Sequence, residues 1–378
     1  LKTKIAIYGL TTEGYLLASK MIDRTAITII DETLQMAMEL EPQTMKLHRN
    51  VSELVDDEAL MALKPIPQVI SEAAVIFFTP KLRKTGDESV IEASTKLREA
   101  VKYSSKGATI VNTLPTGIGG NADNITLVEK QTGLRVGETL NYSYCPLTPR
   151  SGEPKFLASV ASLKDALIFE VLGAKRVFNS ITLVELEYIS MLLSESIKLT
   201  TEIELMRRAR EYKIKDGIGS SEKYIDELAS RLYDLTAILA SEDVGEPITY
   251  LASAAIKSLE NYVRYLVDKT RDLLRELQLK ASKTKVLVAW SGDKYEMRAD
   301  RLKTAEEMVE RLRDYVTDVE HVQNTKTSQG SQVNPYKHNI AIACSASDYE
   351  WVKSAKKSIR GSEISILKAT PELPHEKP

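Results

Sequence analysis

Short apolar runs alternate with stretches in which apolar positions recur every three or four residues, and this alternation is interrupted once, in the middle of the chain. The first run, Lys4 to Tyr8, is closed by Gly9, and an amphipathic stretch from Gly14 to Met21 follows at once, which predicts a strand, a tight turn and a helix. A second strand, Ala26 to Ile30, ends at Asp31. Strands are also expected at Ala74 to Phe78, closed by Thr79-Pro80, and at Ala108 to Thr113, closed by Leu114-Pro115, with a helix over Ser89 to Tyr103 between them. Strands and helices in that order predict a parallel sheet covered on both faces.

From about Lys164 the pattern changes to long helices: one or two over Val184 to Tyr212, another over Ser221 to Ala240, and the clearest over Ile248 to Lys280. In the last, Ile256, Leu259, Val263, Leu266, Thr270, Leu273 and Leu277 recur at steps of three and four, an apolar seam along a helix of roughly 45 Å at about 1.5 Å per residue. Two readings of that seam stand side by side: a core helix within its own chain, or a dimer-forming helix. Strand signals return at Lys285 to Ala289, Asn339 to Ala343 and Glu363 to Lys368, with a helix over Ala305 to Tyr315. The polar stretch from Asn324 to Lys337 reads as a loop. The expected architecture is α/β with three parts: a Rossmann domain over 1–163, a long-helix domain over 164–281 and a Rossmann-like α/β domain over 282–370, with a disordered tail over 371–378.

Composition narrows the partners. The chain has 378 residues, and its 51 Lys and Arg nearly cancel its 53 Asp and Glu, so no global field draws it to nucleic acid or an anionic membrane. No stretch reaches the roughly 18 apolar residues of a membrane span. Two cysteines, Cys145 and Cys344, cannot build a disulfide framework, and they fit a reducing, cytoplasmic setting. His48, His321, His338 and His375 show no metal-ligand spacing, so no metal is expected.

Chemistry enters at Gly9-Leu10-Thr11-Thr12-Glu13-Gly14, directly after the first strand. In a dinucleotide fold the first glycine of such a turn makes the bend, the second lets backbone approach a pyrophosphate, and the third lets helix pack on strand. Thr11 takes the second glycine's place, and its side chain is expected where the pyrophosphate would pass. Asp31, 22 residues past Gly9, stands where a ribose 2′-hydroxyl is bound and would repel a 2′-phosphate, which selects NAD over NADP. The competing reading is a βαβ unit that keeps the turn and binds nothing.

These segments resemble the nucleotide-sugar dehydrogenases of the UDP-glucose, UDP-N-acetylmannosamine and GDP-mannose type, and the likeness extends over most of the chain. KIAIYGLTTEG is similar to that family's KIAVIGLGYVG, VIFFTP to its VIFIAVPTP, NTLPTG to its STVPPGT, and KVLVAWSGDKYEMRAD to its strand and DDxRES loop. The resemblance implies NAD as cofactor, a nucleotide-sugar ligand and a homodimer formed through the 248–280 helix. It places Thr79, Pro80 and Thr113 at the cofactor. Arg298 corresponds to an arginine that contacts cofactor or substrate across the subunit boundary.

The resemblance also implies a double oxidation of a sugar CH2OH in which a cysteine thiol traps the aldehyde, and there the chain departs from the pattern. The cysteine segment most resembles Gly217-Ile218-Gly219-Ser220-Ser221-Glu222, which puts Glu222 where a thiolate belongs; a carboxylate is no substitute for it. The family's catalytic glutamate becomes Leu147, and the helix around Glu185 to Met191 supplies neither its lysine nor its asparagine. Each missing acid or base typically removes about 10²- to 10⁴-fold of rate. Cys145 reads as a buried thiol, with a reactive or metal-ligating one as the alternative. Two hypotheses follow: an NAD-dependent oxidoreductase with altered chemistry, or a catalytically silent dinucleotide-binding or partner-binding scaffold.

Overall fold

The computed structural model describes residues 2–48, 50–56, 63–149, 152–161, 172–212, 223–243, 245–323, 338–358 and 364–371. The Gly217 to Glu222 segment, the loop 324–337 and the tail from 372 onward lie outside the described residues. The chain forms two compact units: Leu1–Leu192 with Thr236–Thr249 and Lys294–Ala299, and Leu193–Leu235 with Tyr250–Asp293 and Asp300–Pro378.

The first unit is built on nine strands: β1 Lys4–Tyr8, β2 Ala26–Asp31, β3 Met36–Leu40, β4 Leu63–Lys64, β5 Val75–Phe78, β6 Thr109–Asn112, β7 Asn141–Tyr144, β8 Phe156–Ser159 and β9 Arg176–Phe178. They lie in one sheet in the order β4-β3-β2-β1-β5-β6-β7-β8-β9, and β2, β1, β5, β6 and β7 run parallel. Every residue of β5 and β6 is buried, so these strands are apolar runs and do not alternate, as strands covered on both faces must be. The helices before the long ones are α1 Thr12–Met21, α2 Pro42–Leu47, α3 Val51–Asp56, α4 Ile66–Glu72, α5 Asp87–Val101 and α6 Gly120–Thr132. From β1 the chain goes to β2 on one side and later to β5 on the other, and such a switch point leaves a crevice at the strands' carboxyl ends.

β3, β4, β8 and β9 are strands that the sequence pattern does not predict, and β3 shows why. β3 pairs antiparallel with β2, Asp31 opposite Met36, across a turn that Gln35 closes with φ +56°. Its sequence, Met-Ala-Met-Glu-Leu, has no β-branched residue and favours helix. Hydrogen bonding to the edge of the buried β2 overrides that local preference.

The expected helical part, 164–281, is helical from Ile181 onward, whereas β9 at Arg176–Phe178 lies inside it and completes the first sheet. α7 is one helix, Ile181–Glu211; the stretch expected to form the next helix is two, α8 Ile225–Ala229 and α9 Leu232–Ser241; α10 spans Pro247–Glu276. In α10, Leu259, Val263, Leu266 and Thr270 are each no more than 2% exposed, and the Thr270 hydroxyl donates to the Leu266 carbonyl at 2.8 Å. The centre of the seam is therefore core within its own chain. Leu277 lies past the helix end and is exposed. Among the described residues no helix is long and apolar enough to cross a membrane.

The second unit carries a four-stranded parallel sheet of β10 Thr284–Ala289, β11 Asp318–Val322, β12 His338–Ala343 and β13 Ile364–Lys368 in the order β11-β10-β12-β13, with α11 Asp300–Arg313 and α12 Ala346–Ser358. Leu287, Ala289, Val322, Ala341, Val352 and Ile364 form a core against which Trp351 and Ile366 pack. The architecture is thus two Rossmann-like sheets, the first with a parallel centre and antiparallel pairs on either side and the second parallel throughout, with long helices between them in sequence.

Candidate functional site

The turn after β1 is shaped by two glycines and one threonine. Gly9 has φ +120°, and a Cβ built on it would lie 1.8 Å from the Thr79 carbonyl oxygen, so only glycine fits where the turn crosses the loop after β5. A Cβ on Gly14 would lie 2.8 Å from Thr79 Oγ1 and 2.9 Å from the Gly9 carbonyl, which is the close helix-on-strand packing expected of that position. Thr11 does not stand where the sequence pattern put it. Its side chain turns inward, fully buried; Oγ1 accepts the Gly14 N–H at 3.1 Å and donates to the Thr79 carbonyl at 3.2 Å. Thr11 is the N-cap of α1, a role that a hydroxyl fills well and glycine fills without a side chain.

The other expected residues gather around this turn. Leu10, Thr79 and Pro80 are buried beside it, and the Thr79 hydroxyl donates to the Tyr8 carbonyl at 3.2 Å. Thr113, at the end of β6, donates its hydroxyl to the Phe78 carbonyl at 2.7 Å. Asp31 ends β2 and is buried, with Oδ1 accepting the N–H groups of Thr33 and Leu34 at 2.8 and 3.1 Å. Arg298 is 6% exposed and donates through Nη2 to the Leu147 carbonyl of its own chain at 3.3 Å, with Leu147 fully buried.

Two buried carboxylates carry contacts that sequence reading does not show. Glu32 is buried; its Oε1 accepts the Lys81 N–H at 2.7 Å and meets Lys96 Nζ at 3.1 Å. Its adjacency to Asp31 was the available signal. Glu185, at the start of α7, is 1% exposed and closes the N-terminus of α6: Oε2 accepts from Gly119 N–H at 3.0 Å, and Oε1 from the Asn121 N–H and side-chain amide at 2.9 and 2.8 Å.

The residues that would cradle a pyrophosphate are already engaged. The Thr12 N–H, at the first position of α1, donates to the Tyr295 carbonyl at 2.8 Å, and the buried Glu13 carboxylate beside it accepts the Met297 N–H at 2.9 Å. As arranged, the turn does not fit a pyrophosphate.

At the switch point of the second sheet, between β10 and β12, side chains bond one another. Asp348, near the start of α12, accepts from the Ser291 N–H at 3.2 Å and from the hydroxyls of Ser291 and Ser345, so a carboxylate sits at the helix N-terminus where an anion would be favoured. Burial raises its carboxyl above the usual carboxylate range. Asp226 Oδ1 accepts from Trp290 Nε1 and pairs with Arg301 Nε, both at 2.7 Å.

Both thiols are sealed. Cys145 is 1% exposed, and burial pushes its thiol up to about 12. Cys344 is fully buried and is pushed up by burial and by the charges of Asp348 and Asp226. A reactive cysteine needs a lowered pKa and access. The folded protein is therefore expected to leave an aromatic disulfide reagent unreacted at neutral pH, releasing its two thiols only on denaturation; a fast-reacting thiol in the native protein would contradict the burial. Among the described residues no group of His, Cys, Asp or Glu is placed to hold a metal ion.

No protein-family model matches the chain, and no curated protein matches it in sequence. Solved structures do match. A UDP-D-ManNAc dehydrogenase from Pyrococcus horikoshii is similar at 18% identity and a TM-score of 0.62, covering 99% of this chain and 96% of that one. A UDP-glucose dehydrogenase from Pyrobaculum islandicum is similar at 12% identity and a TM-score of 0.60, covering 98% and 94%. An NDP-N-acetyl-D-galactosaminuronic acid dehydrogenase from Methanosarcina mazei follows at 13% identity and a TM-score of 0.53, covering 97% and 95%. At these identities the likeness is one of fold, and the scaffold is nucleotide-sugar dehydrogenase-like from end to end.

Proposed function

We propose that this protein keeps the scaffold of a nucleotide-sugar dehydrogenase and no longer oxidises a sugar. The observation that carries the reading is the state of its thiols. The chemistry implied by the resemblance needs an accessible cysteine thiolate at the substrate, and this chain has two cysteines, both buried, with burial raising each thiol above its ordinary value. Leu147 in place of the glutamate removes a general acid or base as well, and it is fully buried. The dinucleotide that the turn would take is NAD, because Asp31 and Glu32 both stand against a 2′-phosphate at the end of β2.

The test is the absorbance of reduced nicotinamide on mixing the full chain with NAD and a panel of UDP- and GDP-sugars. No reduced cofactor above the blank is expected for any of them. Sustained turnover with one would overturn the reading and return the protein to the oxidoreductases.

A further inference from the structure

Lys294–Ala299 belongs to the first unit, although the chain on both sides of it belongs to the second. The segment is held by polar contacts to the dinucleotide turn and to the loop after β5. Besides the bonds from the Thr12 N–H to the Tyr295 carbonyl and from the Met297 N–H to Glu13, the Leu82 N–H donates to the Met297 carbonyl at 2.8 Å. The Arg83 guanidinium donates to the carbonyls of Lys294 and Glu296 at 2.6 and 3.3 Å. The Tyr295 ring faces the ammonium groups of Lys81 and Lys294 at 4.7 and 5.0 Å, and the fully buried Met297 side chain anchors the whole.

The carbonyl of Tyr295 meets the exposed end of the α1 dipole as an anion's oxygen would, with partial negative charge against an N–H that has no partner within the helix. We infer that Lys294–Ala299 is an internal stand-in for a diphosphate: it closes the turn in the resting chain, and a nucleoside diphosphate, such as the ADP half of a dinucleotide, binds only by displacing it. A second observation points to the same ligand. Glu32 is more than nine-tenths buried just past the end of β2; Oε1 takes both the Lys81 N–H and the Lys96 ammonium, and Oε2 has no hydrogen-bond partner among the described residues. A buried carboxylate oxygen without a donor is what a ribose hydroxyl would satisfy. The inference rests on the reading of the turn as a dinucleotide site and adds what controls entry to it.

The experiment uses ADP and NAD as probes on the full chain, with calorimetric titration and amide hydrogen exchange. In the wild type, millimolar ADP is expected to speed exchange across Lys294–Ala299 and at Leu82, while Thr12 exchanges with one partner in place of another and stays protected. Arg83→Ala removes two of the segment's bonds and Met297→Pro removes the N–H given to Glu13. Each is expected to tighten ADP and NAD binding about tenfold, since the apparent affinity rises with the open fraction. Equal or weaker affinity in both folded variants, ADP binding to the wild type without a change in exchange over the segment, or no ADP binding by any of the three would each overturn the inference. Should a variant fail to fold, the wild-type exchange decides alone. None of these readouts uses a sugar nucleotide, so turnover would sink the reading of lost chemistry without touching this result.

Discussion

Replacing Asp226 by alanine is expected to lower the stability of the protein by about 3–5 kcal/mol, the cost typical of leaving one member of a buried ion pair without its partner. The Asp226 side chain is fully buried and the Arg301 side chain is 10% exposed, with Nε and Oδ1 2.7 Å apart. The same oxygen accepts from Trp290 Nε1. Truncation would therefore take the carboxylate from the buried Arg301 guanidinium, which keeps its bond to the Ser291 carbonyl, and leave the indole N–H of Trp290 facing a void. Asp226→Asn keeps an acceptor for Trp290 and removes the negative charge that faces Arg301 at 2.7 Å, so part of the loss should remain. Urea unfolding followed by tryptophan fluorescence checks both variants, because Trp290 reports on this site directly. A loss below about 1 kcal/mol in Asp226→Ala would show that the pair contributes no more than a surface bridge.

Gly9→Ala is the second large effect, and its cause is covalent geometry and not charge. The added methyl would sit 1.8 Å from the Thr79 carbonyl oxygen, a backbone atom held in register by the Thr79 N–H bond to the Tyr8 carbonyl at 2.9 Å. That strand end cannot yield without breaking β1 from β5. The φ of +120° is also hostile to any side chain. Strain of that kind and overpacking each cost roughly 1–3 kcal/mol, so a combined loss of about 3 kcal/mol or more is expected, with poor soluble yield. Gly14→Ala meets atoms at 2.8 Å and beyond, one of them a threonine hydroxyl, and should lose less. Equal stability of Gly9→Ala and the wild type in a denaturant titration would mean that the turn is built differently.

Taken together, these residues describe a molecule in which both switch points are occupied from within. A carboxylate, Asp348, sits at one helix N-terminus, and a backbone carbonyl, that of Tyr295, at the other. Each accepts from nearby N–H or hydroxyl donors, so those polar groups are satisfied from within the chain.

The elements legible in the sequence are those whose causes are local. β1 appears as expected from Lys4 to Tyr8 because four consecutive residues after Lys4 suit a buried strand and Gly9 ends it. α1, α5 and α10 follow from apolar spacing over a few turns. The turn glycines Gly9 and Gly14 and the acid that ends β2, Asp31, are legible for the same reason: they lie within one strand-helix-strand stretch. Thr11 was named but misjudged, because its residue type is visible in the sequence and its rotamer is not. β3 was missed because its residues favour helix locally and its strand form depends on an edge supplied by β2.

Amino-acid order alone determined the two α/β ends, the helical middle, the shortage of thiols and the glycine-bounded turn, since each follows from residue chemistry read over a dozen positions. Only the tertiary structure decided that Glu185 caps a helix 64 residues upstream, that Asp226 meets Arg301, and that the carbonyl of Tyr295 lies on the amide of Thr12. The physical reason is that every residue carries a carbonyl, and every residue but proline an amide, so a backbone pairing across nearly three hundred positions leaves no trace in the side chains that make it.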